Sequence, residues 1–332
     1  MKLTKKLFAV AIALCMMLCL SVTAFAEDGG KTYTDTETVT IKKVYKLTND
    51  KTISPSETFN LTEVSSRVVD GEATEVPKLV KIEGATFTAG EATIEGATEN
   101  ITITLPQYAK VGVYEYTLRE VDGKTAGVAY YGDDIKLKVT VINDEKGNLR
   151  IAGVHTENET NNKVEDGKDK KDSFPNTYSA GDLSISKTVD GNLGDKDMYF
   201  DFEVTLTGED GKNYGESYVV SGGSDGSGNV SSVKVGETAE LKLKHGDTVT
   251  IKNLPYGVTY TVTETAVDKY ETEKTGDTGT INAATQTAKF TNTKNGNIDA
   301  GVMLDSLPYV LVLMAVLGGA VVMFTRKRRY ED

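Results

Sequence analysis

A lysine, a glutamate and an asparagine recur in the same order at two places in this 332-residue chain. They are Lys43, Glu120 and Asn176, then Lys187, Glu264 and Asn292, and the lysine-to-glutamate separation is 77 residues in both sets. Each asparagine ends a Phe-x-Asn signature, Phe174-Pro175-Asn176 and Phe290-Thr291-Asn292. Period-two alternation puts the charged residues on inward strand positions: Lys43 continues Val39 and Ile41, Lys187 continues Leu183 and Ile185, Glu120 follows Tyr116 and Leu118, and Glu264 follows Tyr260 and Val262. Charged and amide groups on an apolar face are costly unless paired. A repeated trio of these types points to a covalent pairing, a Lys–Asn isopeptide bond promoted by the glutamate. An amine attacks a carboxamide only when neutral, and burial lowers a lysine pKa while raising that of a nearby glutamate. The protonated glutamic acid can then polarise the asparagine carbonyl and shuttle protons as ammonia leaves. Taken singly, each residue has a plainer reading: an edge lysine that snorkels to water, a solvated glutamate, a turn asparagine. The recurrence of all three in one order outweighs it.

The elements that must position these residues read as strands. In the first half these are Thr36 to Tyr45, Thr58 to Thr62, Ile101 to Leu105, Val113 to Val121 and Ile135 to Ile142. The polar, lysine-rich segment from Glu157 to Asp172 reads as a long exposed loop before a closing strand. Thr177 to Asp182 is too short for a floppy linker. The second half starts at Leu183 and continues through Phe200 to Leu206, Ala239 to Leu243, Thr248 to Ile251, Val258 to Thr265 and Ala288 to Thr293. No helical period of useful length occurs outside the two ends. The pattern predicts an all-β protein of two tandem β-sandwich domains end to end, residues 27–180 and 181–296.

The ends indicate where the chain works. Residues 1–26 carry Lys2, Lys5 and Lys6, an apolar run and Ala24-Phe25-Ala26, the pattern of a secretory signal peptide. Both cysteines, Cys15 and Cys19, lie inside it, so no disulfide or cysteine site is expected in the exported protein. Leu307 to Thr325 is apolar and nearly long enough to span a bilayer, followed by Arg326-Lys327-Arg328-Arg329. Residues 297–332 thus read as a membrane anchor or a cell-wall sorting signal, with the body outside the cell. The formal net charge is −12; the basic ends hold +4 of it, leaving −16 for residues 27–301, which disfavours nucleic acid as a partner.

Other functions find little to work with. The two histidines, His155 and His245, stand in polar, turn-like contexts, so a Ser–His–Asp or His-rich zinc site is not expected. The glycine-rich run Gly222 to Asn229 reads as a hairpin rather than a phosphate cradle, since no P-loop lysine and helix follow. No enzyme activity beyond a single-turnover internal reaction, no metal and no cofactor are expected.

Over nearly its whole length the chain resembles the two-domain major pilins of Gram-positive bacteria, the streptococcal-type pilin isopeptide-linkage family. The matching stretches in the first half are Val39-Thr-Ile-Lys-Lys43, Gly112-Val-Tyr-Glu-Tyr-Thr-Leu-Arg-Glu120 and Phe174-Pro-Asn176. Those in the second are Leu183-Ser-Ile-Ser-Lys187, Leu254-Pro-Tyr-Gly-Val-Thr-Tyr-Thr-Val-Thr-Glu264 and Phe290-Thr-Asn292. The Tyr-x-Leu/Val-x-Glu segments look like the family's E-box. The resemblance implies Ig-like (CnaB-type) sandwiches whose first and last strands are joined by Lys43–Asn176 and Lys187–Asn292, with Glu120 and Glu264 promoting the bonds. Lys42 is the alternative partner in the first half, though it points to the opposite face.

The resemblance also implies that the chain is the shaft subunit of a cell-surface pilus. Identical subunits would be joined covalently by a pilus sortase after transient membrane anchoring, with tip or minor pilins as further partners. Lys168, Lys170 and Lys171 are candidates for the intersubunit link, standing against the plainer reading of a solvated lysine run. Gly301 to Tyr309 looks like the family's segment after sortase cleavage, which would fall between Ala300 and Gly301. Upstream, however, Asp299 and Ala300 stand where the family has the Pro and Thr of a Pro-Thr-Gly motif. That departure leaves open a divergent sortase or retention in the membrane. The alternative function is a monomeric wall- or membrane-anchored adhesin built from the same domains.

Overall fold

Short runs of Thr, Val, Ile and Tyr, alternating with polar residues and broken by Gly and Asn, leave each strand one apolar face to bury. The computed structural model describes residues 37–158, 173–297, 309–317, 320 and 323. Its first half holds β1 (Thr38–Leu47), β2 (Glu57–Phe59), β3 (Leu61–Gly71), β4 (Lys81–Glu83), β5 (Ala85–Phe87), β6 (Ala97–Thr104), β7 (Gly112–Glu120), β8 (Val128–Ala129), β9 (Ile135–Asn143), β10 (Leu149–Asn158) and β11 (Ser173–Tyr178). The second holds β12 (Ala180–Asp190), β13 (Phe200–Thr207), β14 (Tyr218–Gly222), β15 (Ser232–Val233), β16 (Thr238–Leu243), β17 (Thr248–Pro255), β18 (Thr259–Glu264), β19 (Glu271–Thr275), β20 (Thr278–Thr280) and β21 (Thr285–Thr293). The described body is all-β.

In the first half a sheet of order β4-β6-β1-β11-β8 and a sheet of order β10-β9-β7-β3 turn their apolar faces to a common core, with β2-β5 as a small extra ribbon. The second half repeats the arrangement with β15-β14-β17-β12-β21-β19 and β16-β13-β18-β20 around a separate core. In each half the first strand runs parallel to the last: β1 beside β11, and β12 beside β21. Neighbouring parallel strands need a crossover connection, and here nearly a whole half of the chain supplies it.

The structure adjusts several sequence expectations. The strand expected over Thr58 to Thr62 is two strands parted at Asn60, and they pair with different partners, β5 and β7. Strand β10, which extends as far as Asn158, takes the start of the segment expected to be a loop, while 159–172 lies outside the described residues. His155 lies within β10 rather than in a turn, its Nε2 2.9 Å from Glu157 Oε1. His245 occupies the turn before β17, where its Nδ1 accepts the Val189 N–H at 3.0 Å. The expected export segment 1–26 lies outside the described residues, and the expected membrane segment Leu307 to Thr325 lies partly outside them. Residues 309–317 are helical and exposed. Among the described residues, no helix is long and apolar enough to cross a membrane.

A single residue, Ser179, separates β11 from β12. Its N–H donates to Gly127 O at 2.9 Å, and its carbonyl accepts the Tyr256 N–H at 3.0 Å. Two asparagines tie the halves further. Asn253 donates from Nδ2 to Ile53 O at 2.8 Å and accepts the Ile53 N–H at 2.9 Å. Asn213 donates from Nδ2 to Gly123 O at 3.0 Å and from its backbone N–H to Lys124 O at 2.7 Å.

Candidate cross-linking sites

Strand register brings the lysines and asparagines together. In the parallel ladders Lys43 pairs with Phe174 and Lys187 with Phe290, so the apolar residue of each Phe-x-Asn signature lies opposite the lysine. The asparagine, two residues on, points to the same face and pairs with the residue two beyond the lysine: Asn176 with Tyr45, Asn292 with Val189. Each glutamate arrives from the opposing sheet, at the last residue of β7 or β18. Lys43, Lys187, Asn176 and Asn292 are all buried, with no more than 1% of their surface exposed, and the Glu120 and Glu264 side chains are buried beside them. Lys42 lies exposed on the other face of β1.

In the first trio Lys43 Nζ donates to Asn176 Oδ1 at 2.6 Å and to the Glu120 carboxylate, while Asn176 Nδ2 donates to Glu120 Oε1. Glu120 Oε1 also accepts the Tyr131 N–H at 3.1 Å. In the second, Lys187 Nζ donates to both oxygens of Glu264 at 2.8 Å, and Asn292 Nδ2 donates to Glu264 Oε1. Asn292 Oδ1 is buried with no hydrogen-bond partner among the described residues, an arrangement that carries a desolvation cost. Burial pushes the Lys187 ammonium below the ordinary lysine range, against the opposing effect of its Glu264 hydrogen bond and charge. In both sites an amine, a carboxamide and a carboxyl group converge in a dry enclosure.

Aromatic rings build that enclosure. Lys43 Nζ lies 5.0 Å from the Phe59 ring centroid and 5.8 Å from that of Tyr131; Lys187 Nζ lies 4.0 Å from Phe200 and 5.7 Å from Phe202. Phe174 and Phe290 complete each box through edge-on contacts with Tyr131 and Phe202. Sequence reasoning missed the walls Phe59, Tyr131, Phe200 and Phe202. For Phe200 and Phe202 the signal was available, since both fall on inward positions of an expected strand. For Tyr131, which sits between β8 and β9, no periodic signal existed.

The comparisons with known proteins follow this geometry. Residues 26–179 match the family described as Spy0128-like isopeptide containing domain, and residues 181–294 match a domain of unknown function, DUF7601. The pilin of Streptococcus pyogenes serotype M1 is 25% identical over 244 residues, covering 66% of this chain and 69% of that protein. The chain is thus similar to the streptococcal-type major pilins. The crystal structure of the major pilin from Streptococcus pyogenes shares the fold of this chain, with a TM-score of 0.51 at 22% identity, covering 79% of this chain and all of that one. The pilus tip adhesin Cpa of the same species is 32% identical over 120 residues, but those cover 34% of this chain and 17% of the adhesin. The other candidate residues, Lys168, Lys170, Lys171, Ala300 and Gly301, lie outside the described residues.

Proposed function

We propose that the chain is the shaft subunit of a sortase-assembled cell-surface pilus, built of two tandem Ig-like (CnaB-type) sandwiches, residues 27–180 and 181–296. Each sandwich is closed by its own isopeptide bond, Lys43–Asn176 and Lys187–Asn292. The observation that carries this reading is the same buried Lys–Glu–Asn trio on the parallel first and last strands of both halves. The similarity to pilins supports a structural pilus subunit at the cell surface rather than an enzyme of many turnovers.

In each site the neutral lysine Nζ attacks asparagine Cγ, an Nζ–Cγ bond forms and the Cγ–Nδ2 bond breaks. The glutamic acid carries one proton from Nζ to the departing nitrogen, which leaves as ammonia, and the carboxyl group is regenerated. The bonds join the strands at which the chain enters and leaves each core, so pulling on the ends loads the bond instead of unzipping the sheets.

Assembly would use cleavage between Ala300 and Gly301 by a pilus sortase and capture by Lys168, Lys170 or Lys171 of another subunit. Exposed Val310, Leu311, Val312 and Leu313 on the helix 309–317 support a membrane-held stage before cleavage. A second reading, a monomeric anchored adhesin, draws on the similarity to Cpa.

The first test is the intact mass of residues 27–296, which should fall about 34 Da below the sequence value for two ammonia molecules lost. A full mass sinks the isopeptide reading. Coexpression of the full chain with a pilus sortase separates shaft from adhesin. Covalent ladders are expected for the shaft; a monomer would favour the adhesin.

A further inference from the structure

We propose that Asn49 and Asn192 are positioning residues for the cross-linking reaction, each latching the chain four residues beyond the asparagine that reacts. The inference rests on the isopeptide reading above. In the first half Asn49 Nδ2 donates to Ala180 O at 2.8 Å; in the second Asn192 Nδ2 donates to Gly296 O at 2.7 Å. Ala180 follows Asn176 by four residues, as Gly296 follows Asn292. Asn49 lies six residues past Lys43 and Asn192 five past Lys187, both in the loop that leaves the lysine strand. Backbone bonds accompany each latch two residues past the reacting asparagine. Thr48 N–H donates to Tyr178 O at 3.1 Å; at the second exit Leu193 N–H donates to Lys294 O at 3.0 Å and Lys294 N–H to Asp190 O at 3.1 Å.

A latch is useful at this point for a physical reason. Asn176 is two residues from the end of β11, and Asn292 is one residue from the end of β21. Strand ends fray at little free-energy cost, and the parallel partner is remote in sequence. Until the covalent bond exists, fraying would swing the carboxamide away from the amine, and attack requires the two to be held within contact distance. The latch closes the ladder beyond the asparagine and keeps it seated.

The two latches are unequal. Ala180 is also the first residue of β12, paired with Pro255, so the first exit is held without Asn49. Asn49 Oδ1 accepts the Lys51 N–H within its own turn. At the second exit no strand follows β21 among the described residues before 297. There Asn192 grips Gly296 on both sides, its Oδ1 also accepting the Gly296 N–H at 2.9 Å. Gly191 (φ 88°) permits this approach, because a Cβ there would stand 2.2 Å from Lys294 O. Asn192 therefore matters more than Asn49.

The test follows both cross-linked peptides by mass spectrometry over time in the full chain made by cell-free synthesis. In Asn192→Ala the Lys187–Asn292 peptide should accumulate about tenfold more slowly, the loss of two hydrogen bonds. The Lys43–Asn176 peptide of the same molecules should keep the wild-type rate. Asn49→Ala should slow the first bond only about twofold, since one hydrogen bond goes and the exit stays paired. Asn192→Asp, which keeps the acceptor for the Gly296 N–H, should recover part of the rate. In the Glu264→Ala background, where no second bond forms, Asn192→Ala should speed hydrogen exchange at the Asn292 and Thr293 amides. A wild-type rate in Asn192→Ala, equal slowing of both bonds, or unchanged exchange overturns the proposal and leaves the isopeptide reading standing. Absence of both peptides from the wild-type chain overturns that reading and the proposal together.

Discussion

Desolvation lowers the Lys187 pKa even though the side chain has a carboxylate at hydrogen-bond distance. The chemistry proposed for the trios depends on that balance, and the balance can be read in a variant that cannot react. In Asn292→Ala the lysine stays an amine in the folded core. Its folded pKa lies below the ordinary lysine value that holds in the unfolded chain. Between those two values the unfolded state binds more protons, so stability rises with pH through the window. Melting temperature should therefore climb as pH rises toward the ordinary lysine range in Asn292→Ala, and the climb should vanish when Lys187→Met is added. Buried tyrosines such as Tyr260, whose pKa burial raises, act in the opposite sense near pH 10 and are common to both variants. Identical profiles for the two would refute a titrating Lys187. The glutamates make a separate prediction: Glu120→Ala or Glu264→Ala should each restore about 17 Da to the intact mass.

At the scale of elements, the parallel pairs β1–β11 and β12–β21 decide which residues can react. The lysine opposes the phenylalanine, and the period of two then places the asparagine on the same face. A covalent link from Lys187 to Asn292 closes a loop of about 100 residues, a constraint on the unfolded chain comparable to about 4–5 kcal/mol for a disulfide of that span. Asn292→Ala should accordingly lower the melting temperature of the second core by about 10–20 °C, as judged by calorimetry. A shift of a degree or two would mean that no bond spans the strands. Phe290, 5.1 Å from Phe202 in an edge-on pair, tests the enclosure. Phe290→Leu should keep the fold but admit water, and slower accumulation of the Lys187–Asn292 peptide is the expected result.

For the whole molecule, the junction matters as much as the two cores. A single residue between β11 and β12, with the amides of Asn253 and Asn213 gripping the first half, holds the cores in one relation. Asn253 has a left-handed backbone (φ 59°), so glycine can replace it without strain and removes only the side-chain bonds. Small-angle scattering should then show a broader distribution of overall dimensions for Asn253→Gly than for the parent. An unchanged profile would mean that the remaining junction contacts suffice.

The candidate sites were legible in sequence because they repeat: two Lys–Glu–Asn sets, the Phe-x-Asn signatures and the period-two strands around them are local patterns. The strong strands β1, β7, β9, β12, β13 and β18 were equally legible, since their apolar alternation is long enough to count. Short edge strands such as β4, β8, β15 and β20 carry too few inward residues to register, and the break at Asn60 follows from pairing with two different partners. Tertiary structure alone decided that the first and last strands lie parallel and that Asn49 and Asn192 reach across to the chain exits. These facts depend on contacts between residues more than 100 positions apart. Local propensity cannot specify such contacts; only the simultaneous burial of two apolar faces selects the register.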